Sequence, residues 1–585
     1  MILAKRWQIA PRVPPSQVDR FPDLDPLMVQ LLYNRGITEP ADMVAFFDGV
    51  AMGSDPFDLP GVTAAVTRLR QALCDEEPIA IYGDFDADGV TATALMVQTL
   101  RALGGDVRPY IPNRVEEGYG LNTEALDHLA GLGVGVVVTV DCGIRSLEEA
   151  DYASRLGLDM IITDHHSVGQ KIPRVVAVID PKYALTSGAT ANLAGVGVAF
   201  KLAQALLRSQ QESPFIDEVS LQEEQLLDLV AIGTVADLVP LRGENRDLVR
   251  RGLVQVNQLE RPGLKALCEV AGLKPGKIDT STIGFKLGPR LNAAGRIADA
   301  QTAFRLLDTR DSQEAKRLAQ VLDQLNRERQ ELTAALKEKA RLMALQAGAD
   351  VPLLFAADPQ FQAGVVGLVA NHLMSEFYRP AVVVQVGENT SRGSARSIPE
   401  FHITHALEQC ADLLIRFGGH AAAAGFEVPN ESLPLLTEQL QALAAEEMAG
   451  KDLVPALNVD AEITLPDVTW DLVEMLGRLE PCGYENPPAL FLTRDVHVRH
   501  HRTVGKEDRH LKLRFSQDQK IWQGIAFRQG EWAGKLPDQV DIVYHVEVNE
   551  WRGTRQLQLN VQDIRPADGG DFAAVWLEQG QEGVP

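Results

Sequence analysis

Between residues 79 and 181 the chain alternates five short apolar runs (79–82, 107–111, 134–140, 158–163 and 175–179) with stretches long enough for helices. This is the pattern of a parallel α/β sheet, because parallel neighbours need a long crossover between them. All strands of such a sheet point the same way. Whatever follows each strand therefore gathers along one edge, where α/β proteins bind their ligands. Here polar groups follow every run almost at once. Asp84, Asp86 and Asp88 follow the first, Asn113 and Arg114 the second, and Asp141 the third. Asp164-His165-His166 follows the fourth and Asp180 the fifth.

The first of these groups is the densest. Residues 82–89 read Tyr-Gly-Asp-Phe-Asp-Ala-Asp-Gly, which places carboxylates at alternate positions. Carboxylates this close repel one another and retain protons unless a cation neutralises them. A calcium loop of the EF-hand type matches only in its first half. Its twelfth position is Leu95, so the bidentate ligand is missing, and the segment leaves a strand rather than a helix. Asp88 also suits the N-cap of a helix predicted from Val90 to Leu103, but that accounts for one carboxylate only. A further acid, Asp237, ends a helical stretch at 221–237, where the helix dipole disfavours negative charge.

Together these residues suit two divalent cations. Asp88 and Asp141 are the candidate bridging ligands, with Asp86 completing one ion and His165 and Asp237 the other. Carboxylate and imidazole without thiolate favour Mn2+ or Mg2+, and the imidazole tilts the choice toward manganese.

A chain of 585 residues predicts about four domains. Residues 1–310 read as a catalytic core with an N-terminal extension, and 311–348 as a connecting helix. That helix has apolar residues at 318, 321, 322, 325, 332 and 336, and Arg329 interrupts the stripe, which argues against a coiled-coil seam. Residues 349–452 read as a smaller α/β block with strands at Val351–Ala357 and Ala381–Val386 and a helix near Val365–Phe377. Residues 453–566 carry short β-type runs with aromatics at Trp522, Phe527, Tyr544 and Trp551, as in a small barrel that stacks bases and tracks phosphates. Residues 567–585 read as a tail.

The five cysteines, Cys74, Cys142, Cys268, Cys410 and Cys482, are far apart with no C-x-x-C, which argues for a reducing compartment and against zinc ribbons. The start lacks an apolar signal-peptide core, and no apolar run reaches membrane-helix length, so a cytoplasmic protein with no membrane contact is expected. The net charge of −24 opposes nucleic-acid binding when taken alone. Distribution matters more than the sum. Residues 494–514 gather Arg494, Arg499, Arg502, Lys506, Arg509, Lys512 and Arg514 with four histidines.

The motifs Asp84-Phe85-Asp86-Ala87-Asp88-Gly89, Asp141, Asp164-His165-His166 and Asp237 resemble the four phosphoesterase motifs of the DHH superfamily. More narrowly, the chain resembles the RecJ family of single-strand-specific 5′→3′ DNA exonucleases. The segments that carry this are Ile111-Pro112-Asn113-Arg114 with Gly118-Tyr119-Gly120-Leu121, Gly233-Thr234-Val235-Ala236-Asp237, and the run from Gly288 to Arg296. Gly418-Gly419-His420 resembles the substrate-binding motif of the DHHA1 domain. The resemblance covers nearly the whole chain. It implies an α/β fold with a parallel-sheet DHH core, a long connecting helix, a smaller α/β DHHA1 domain and a C-terminal OB-fold barrel.

By the same resemblance, Asp86, Asp88, Asp141, His165 and Asp237 are metal ligands, Asp84 is a supporting catalytic carboxylate, and His166 faces the scissile phosphate. Arg290, Asn292, Arg296, Ser394, Arg396, Gly419 and His420 hold the nucleotide or 5′ phosphate, and Asn113, Arg114 and Tyr119 line the strand path. The implied activity is two-metal-ion release of 5′-mononucleotides from single-stranded DNA in recombination and repair. The implied partners are single-strand-binding protein and a repair helicase, and the implied state is a monomer. A DHH phosphodiesterase acting on dinucleotides or short oligonucleotides stays open at this point. The barrel and its basic patch weigh against it, since a small substrate needs no extended track.

Overall fold

The computed structural model describes residues 4–49, 54–114, 117–118, 120–183, 190–348, 351–551 and 553–567. Tyr119 and residues 568–585 of the expected tail lie outside this set, as does the side chain of Trp551.

Five strands form the first sheet: β1 (Ile79–Tyr82), β2 (Val107–Tyr110), β3 (Val136–Val140), β4 (Asp159–Thr163) and β5 (Ala177–Ile179). All are parallel, in the order β2-β1-β3-β4-β5. The apolar runs are continuous rather than alternating because both faces are covered. Ile79, Ile81, Val136 and Val138 belong to one hydrophobic cluster, while Ala80, Tyr82, Val137 and Ile162 belong to another. The first cluster is filled by α1 (Ala87–Ala102), α2 (Gly195–Glu212) and α3 (Leu227–Ala236). Helix α1 is buried nearly all round, which is why its sequence lacks an amphipathic stripe.

Helix α4 (Gly288–Ile297) precedes the 36-residue α5 (Ser312–Ala347), about 54 Å long at 1.5 Å per residue. Asp311 caps α5, accepting from the Gln313 N–H. Its first half packs Ala315, Leu318 and Leu322 into the core, and its second half packs Leu336, Ala340 and Ala344 against the second lobe. That lobe holds β6 (Leu354–Asp358), α6 (Ala363–Phe377), β7 (Ala381–Val386), β8 (Thr390–Arg396), β9 (Arg416–His420) and β10 (Ala423–Pro429). The sheet order is β9-β10-β8-β7-β6, and only β6 and β7 run parallel. Strands β8 to β10 have no counterpart in the sequence reading. They are rich in Gly, Ala and Arg, and their alternation shows as burial along β8 and β10 rather than in residue type.

The C-terminal strands β11 (Phe491–Val504), β12 (His510–Gln517), β13 (Lys520–Ala526), β14 (Gln539–Trp551) and β15 (Thr554–Pro566) close into a barrel in the order β11-β12-β13-β15-β14, with β14 pairing back to β11. Trp522 and Tyr544 are part of its core, whereas Phe527 is exposed. In the basic stretch, Arg494 pairs with Glu462 and Asp541, and Arg509 pairs with Glu507. Arg502 stands opposite Lys512 across the β11–β12 pair.

The N-terminal segment, expected with residues 1–310, packs on the barrel instead. Arg6–Ile9 pairs in parallel with Ala456–Val459, and the helix Pro26–Asn34 buries Met28, Leu31 and Leu32 in the barrel's cluster. Its apolar face finds its match there, about 430 residues away in sequence, a separation that local pattern cannot reveal. Arg246 ties this assembly to the core. Its guanidinium donates to the carbonyls of Phe46, Arg478, Leu479, Glu480 and Pro481 and lies 3.7 Å from the centre of the Phe46 ring.

Candidate metal centre

The parallel sheet delivers the ends of β1, β3 and β4 side by side, and α3 brings its C-terminus to the same place. Asp86 caps α1, accepting from the N–H groups of Asp88 (2.9 Å) and Gly89 (3.1 Å). Asp88 sits inside the first turn, with its carboxylate held by the N–H groups of Gly195 (2.7 Å) and Val196 (2.9 Å) at the start of α2. Two glycines make room for this packing. A Cβ on Gly195 would lie 2.5 Å from Asp141 Oδ1, and one on Gly233 would lie 2.8 Å from Asp88 Oδ1. Asp141 leaves β3 with φ +63°, an uncommon conformation for a non-glycine residue, and its N–H continues the ladder to Thr163 O.

His165 Nε2 stands 3.1 Å from Asp141, 3.6 Å from Asp237 and 3.9 Å from Asp88. Asp164 orients this pair of histidines. Its oxygens accept from the N–H groups of Ile144, His165 and His166, and from His166 Nδ1 at 2.8 Å. Burial opposes the Asp164 charge, but the hydrogen bond from His166 holds its pKa below the ordinary value. Burial likewise opposes charge on His166, yet its bond to Asp164 raises the imidazole above the usual range. His165 behaves oppositely. Burial, and then the charge of His166, push it down to about 3, so it is a neutral imidazole.

The carboxylates are strained electrostatically. Burial, then Asp86, push Asp84 up to about 8 and Asp88 up to about 7. Burial, then Asp88, raise both Asp141 and Asp237 well above the ordinary range. Asp84 Oδ1, Asp141 Oδ1 and His165 Nε2 are buried polar atoms without a hydrogen-bond partner among the described residues. Buried polar groups are normally satisfied, so orphaned ligand atoms that converge are an arrangement built around something else. Three overlapping triads have ligand atoms within 4.8 Å of one another: Asp141-His165-His166, Asp88-His165-Asp237 and Asp84-Asp86-Asp141. Oxygen-rich, thiolate-free triads that share members fit a pair of hard divalent cations.

Residues 78–234 match the DHH family N-terminal domain, residues 350–446 the DHHA1 domain and residues 459–563 the RecJ OB domain. The chain is 37% identical over 571 residues to the single-stranded-DNA-specific exonuclease RecJ of Dickeya dadantii, covering 94% of this chain and 98% of the relative. It is 39% identical over 545 residues to that of Bacillus subtilis, covering 92% and 68% respectively. The chain belongs to the RecJ family. Its structure matches the crystal structure of RecJ in complex with Mn2+ from Thermus thermophilus with a TM-score of 0.82 at 31% identity, over 96% of this chain and 79% of that one. The Mg2+ complex matches with a TM-score of 0.77 at 30% identity, over 96% and 78%.

Beside the carboxylates, this RecJ-family chain gathers arginines. Arg114 lies with its guanidinium 4.8 Å from the Phe85 ring centre. Burial lowers it, while Asp84 and Asp86 pull it back up. Arg296 is pushed down to about 10 by burial, then by Arg114, Arg329 and Arg396, so several guanidinium groups face one another here. Arg296 donates to Gly364 O at 3.2 Å, and Arg396 donates to Ser394 Oγ at 3.0 Å. Among the described residues no carboxylate pairs with Arg296 or Arg396. Such a cluster suits a phosphate.

Two expected substrate residues are engaged otherwise. Arg290 pairs with Asp323 of α5 (2.9 Å) and donates to Lys286 O. Asn292 Oδ1 accepts the Ala87 N–H at 2.7 Å, which fixes the start of α1 rather than reaching outward. The Asn113 N–H is bound by Glu117 Oε1 at 2.7 Å. Gly419 has φ +150°, and a Cβ there would lie 2.5 Å from Ala424 Cα, so only glycine fits. His420 follows on the edge strand β9, at the face of the second lobe turned toward His166. The orienting role of Asp164 was legible only as its place in the motif. Those of Gly195, Val196 and Arg329 left no separate sequence signal.

Proposed function

We propose that this RecJ-family chain is a metal-dependent exonuclease acting on single-stranded DNA in the 5′→3′ direction and releasing 5′-mononucleotides. The observation that carries the reading is the convergence of the orphaned Asp141 Oδ1 and His165 Nε2 with Asp88 and Asp237. Asp86, Asp88, Asp141, His165 and Asp237 are the residues that hold the ions, with Asp84 beside them. Two divalent cations in such a site lower the pKa of bound water, neutralise the phosphate and stabilise the leaving oxygen.

The chain's own groups supply the rest. His166, held toward its cationic form by Asp164, directs positive charge at the scissile phosphate. Arg114, Arg296 and Arg396, with Ser394, offer planar donor forks to a terminal 5′ phosphate, which sets the polarity. His420 closes the phosphate path from the second lobe. The barrel, with its exposed Phe527 and the basic side chains of Arg502 and Lys512 side by side, tracks the remaining strand. A role in recombination and repair beside single-strand-binding protein and a helicase, a cytoplasmic location and a monomeric state complete the reading. Among the described residues no helix is long and apolar enough to cross a membrane.

The test is digestion of single-stranded DNA labelled at one end, with Mn2+, Mg2+ or chelator. Mononucleotides should leave the 5′ end first and only with metal. Release from the 3′ end would overturn the polarity, and preference for dinucleotides over longer strands would replace this reading with that of a short-substrate phosphodiesterase. Substrate length is the cleaner variable than deletion of the barrel, because Met28, Leu31 and Leu32 would lose their core.

A further inference from the structure

Two basic side chains outside the arginine cluster bracket His166. Lys182 Nζ donates to the carbonyl of His165, and Arg145 Nε donates to the carbonyl of Ser167 at 2.8 Å. The residue expected to face the scissile phosphate thus has a cation fixed to the backbone on each side of it. Neither cation is paired with a carboxylate among the described residues, although the centre beside them is rich in acids. An ammonium carries three donors and a guanidinium five, and each gives one to a carbonyl here. Both residues are exposed, Lys182 and Arg145 alike.

Sheet order gives the pair a direction. Arg114 follows β2, one edge of the sheet, and Lys182 follows β5, the opposite edge. Asp84, Asp86, Asp88, Asp141 and His165 follow β1, β3 and β4 between them, and Asp237 comes from the end of α3. Neighbouring strands are about 4.8 Å apart, so the two edges stand about 19 Å from each other, with the metal centre in the middle. A strand whose 5′ end sits on the arginine cluster and whose scissile bond lies over the centre continues toward the β5 edge. His420 supports the placement from the other lobe, since burial and then the charges of His166, Lys182 and Arg145 lower its pKa.

We propose that Arg145 and Lys182 form a second phosphate seat, which takes the phosphodiester one linkage to the 3′ side of the scissile bond. The proposal rests on the exonuclease reading for the direction of the strand. A seat there means that binding strengthens once a substrate has a second charged linkage, which favours polynucleotides over dinucleotides.

The test uses the full chain and a short 5′-phosphorylated oligonucleotide labelled at its 3′ end, with or without a neutral methylphosphonate at the second linkage. Affinity is read by fluorescence anisotropy in chelator, where no cleavage occurs. In the unsubstituted protein, neutralising that linkage should weaken binding about tenfold, the scale of one charged contact. In the Arg145→Gln/Lys182→Gln double variant, the charged oligonucleotide should bind about tenfold more weakly, and the methylphosphonate should have no further effect. A methylphosphonate loss that persists in the double variant overturns the proposal. So does a double variant that no longer binds Mn2+ by calorimetry, which would make the pair a brace for the His165 loop. If the unsubstituted protein digests no single-stranded DNA, the exonuclease reading fails separately, and the anisotropy cycle still reports whether the seat exists.

Discussion

His165 Nε2 lies 3.1 Å from Asp141 Oδ1, and neither atom has a hydrogen-bond partner among the described residues. The contact is between a neutral imidazole and a carboxyl group that burial and its neighbours hold far above its ordinary pKa. Replacing this ionisable group with an amide should therefore relieve the metal-free protein of the cost of keeping the carboxyl protonated, while removing a proposed metal ligand. Asp141→Asn is expected to abolish Mn2+-dependent nucleotide release. In chelator its melting temperature should rise by about 2 °C or more, the equivalent of roughly 1 kcal/mol. Normal turnover by this variant would contradict the site.

The same strain gives the metal-free protein a pH signature. Asp84 and Asp88 are pushed up to about 8 and about 7 from an ordinary value of 3.8. Between pH 4 and 8 the unfolded chain has released these protons while the folded chain still binds them. Stability then falls as pH rises through that window. Urea denaturation in chelator should show the decline. Saturating Mn2+ should reverse it, adding about 2.7 kcal/mol at a hundredfold excess over Kd. A metal-free protein that gains stability from pH 5 to pH 8 would refute the assignment.

Asp164 accepts three backbone N–H groups and the His166 ring. Asp164→Ala strands these donors in a buried place and should lower stability by about 3 kcal/mol. It should also drop the His166 pKa, which titration by NMR would follow. An unchanged His166 titration would show that another group sets its charge.

Gly195 packs closely against two of the proposed metal ligands, Asp141 and Asp88. Gly195→Ala pushes a methyl group against Asp141 and disturbs the N–H that holds Asp88. Affinity for Mn2+, measured by calorimetry, should fall about 10- to 100-fold, as for other residues that position ligands. Gly284→Ala meets no atom within 4 Å and should bind Mn2+ as the unsubstituted protein does.

The two arginines of α4 should separate. Arg290→Ala breaks a largely buried pair with Asp323 and should cost about 3 kcal/mol of stability with a small change in KM. Arg296→Ala should raise KM for 5′-phosphorylated DNA about tenfold with a smaller effect on stability. The opposite pattern would return Arg290 to the phosphate and make Arg296 a structural residue.

The three central strands of the core were readable because both of their faces are buried, which leaves mainly apolar runs at 79–82, 134–140 and 158–163, whereas the edge strand β2 is half-exposed. Helix α5 was readable because 36 residues without proline or glycine keep near-helical spacing. The second half of β11 carries no strand signal in the sequence, since it is rich in His and Arg, faces largely outward and shows no apolar alternation. Arg290 and Arg296 could not be told apart along the chain. Six residues on a helix rotate the side chain by about 240°, so one meets Asp323 on α5 and the other meets Gly364 and the cleft.

By itself the sequence determined which residue types stand at the ends of which strands, because apolar runs and the acids after them are local facts of the chain. The three-dimensional packing alone decided which of those ends are neighbours, that the N-terminal helices seat on a barrel hundreds of residues away, and which arginine of α4 pairs with Asp323. Sheet order, helix rotation and long-range burial depend on contacts between distant segments, and no window of sequence contains both partners.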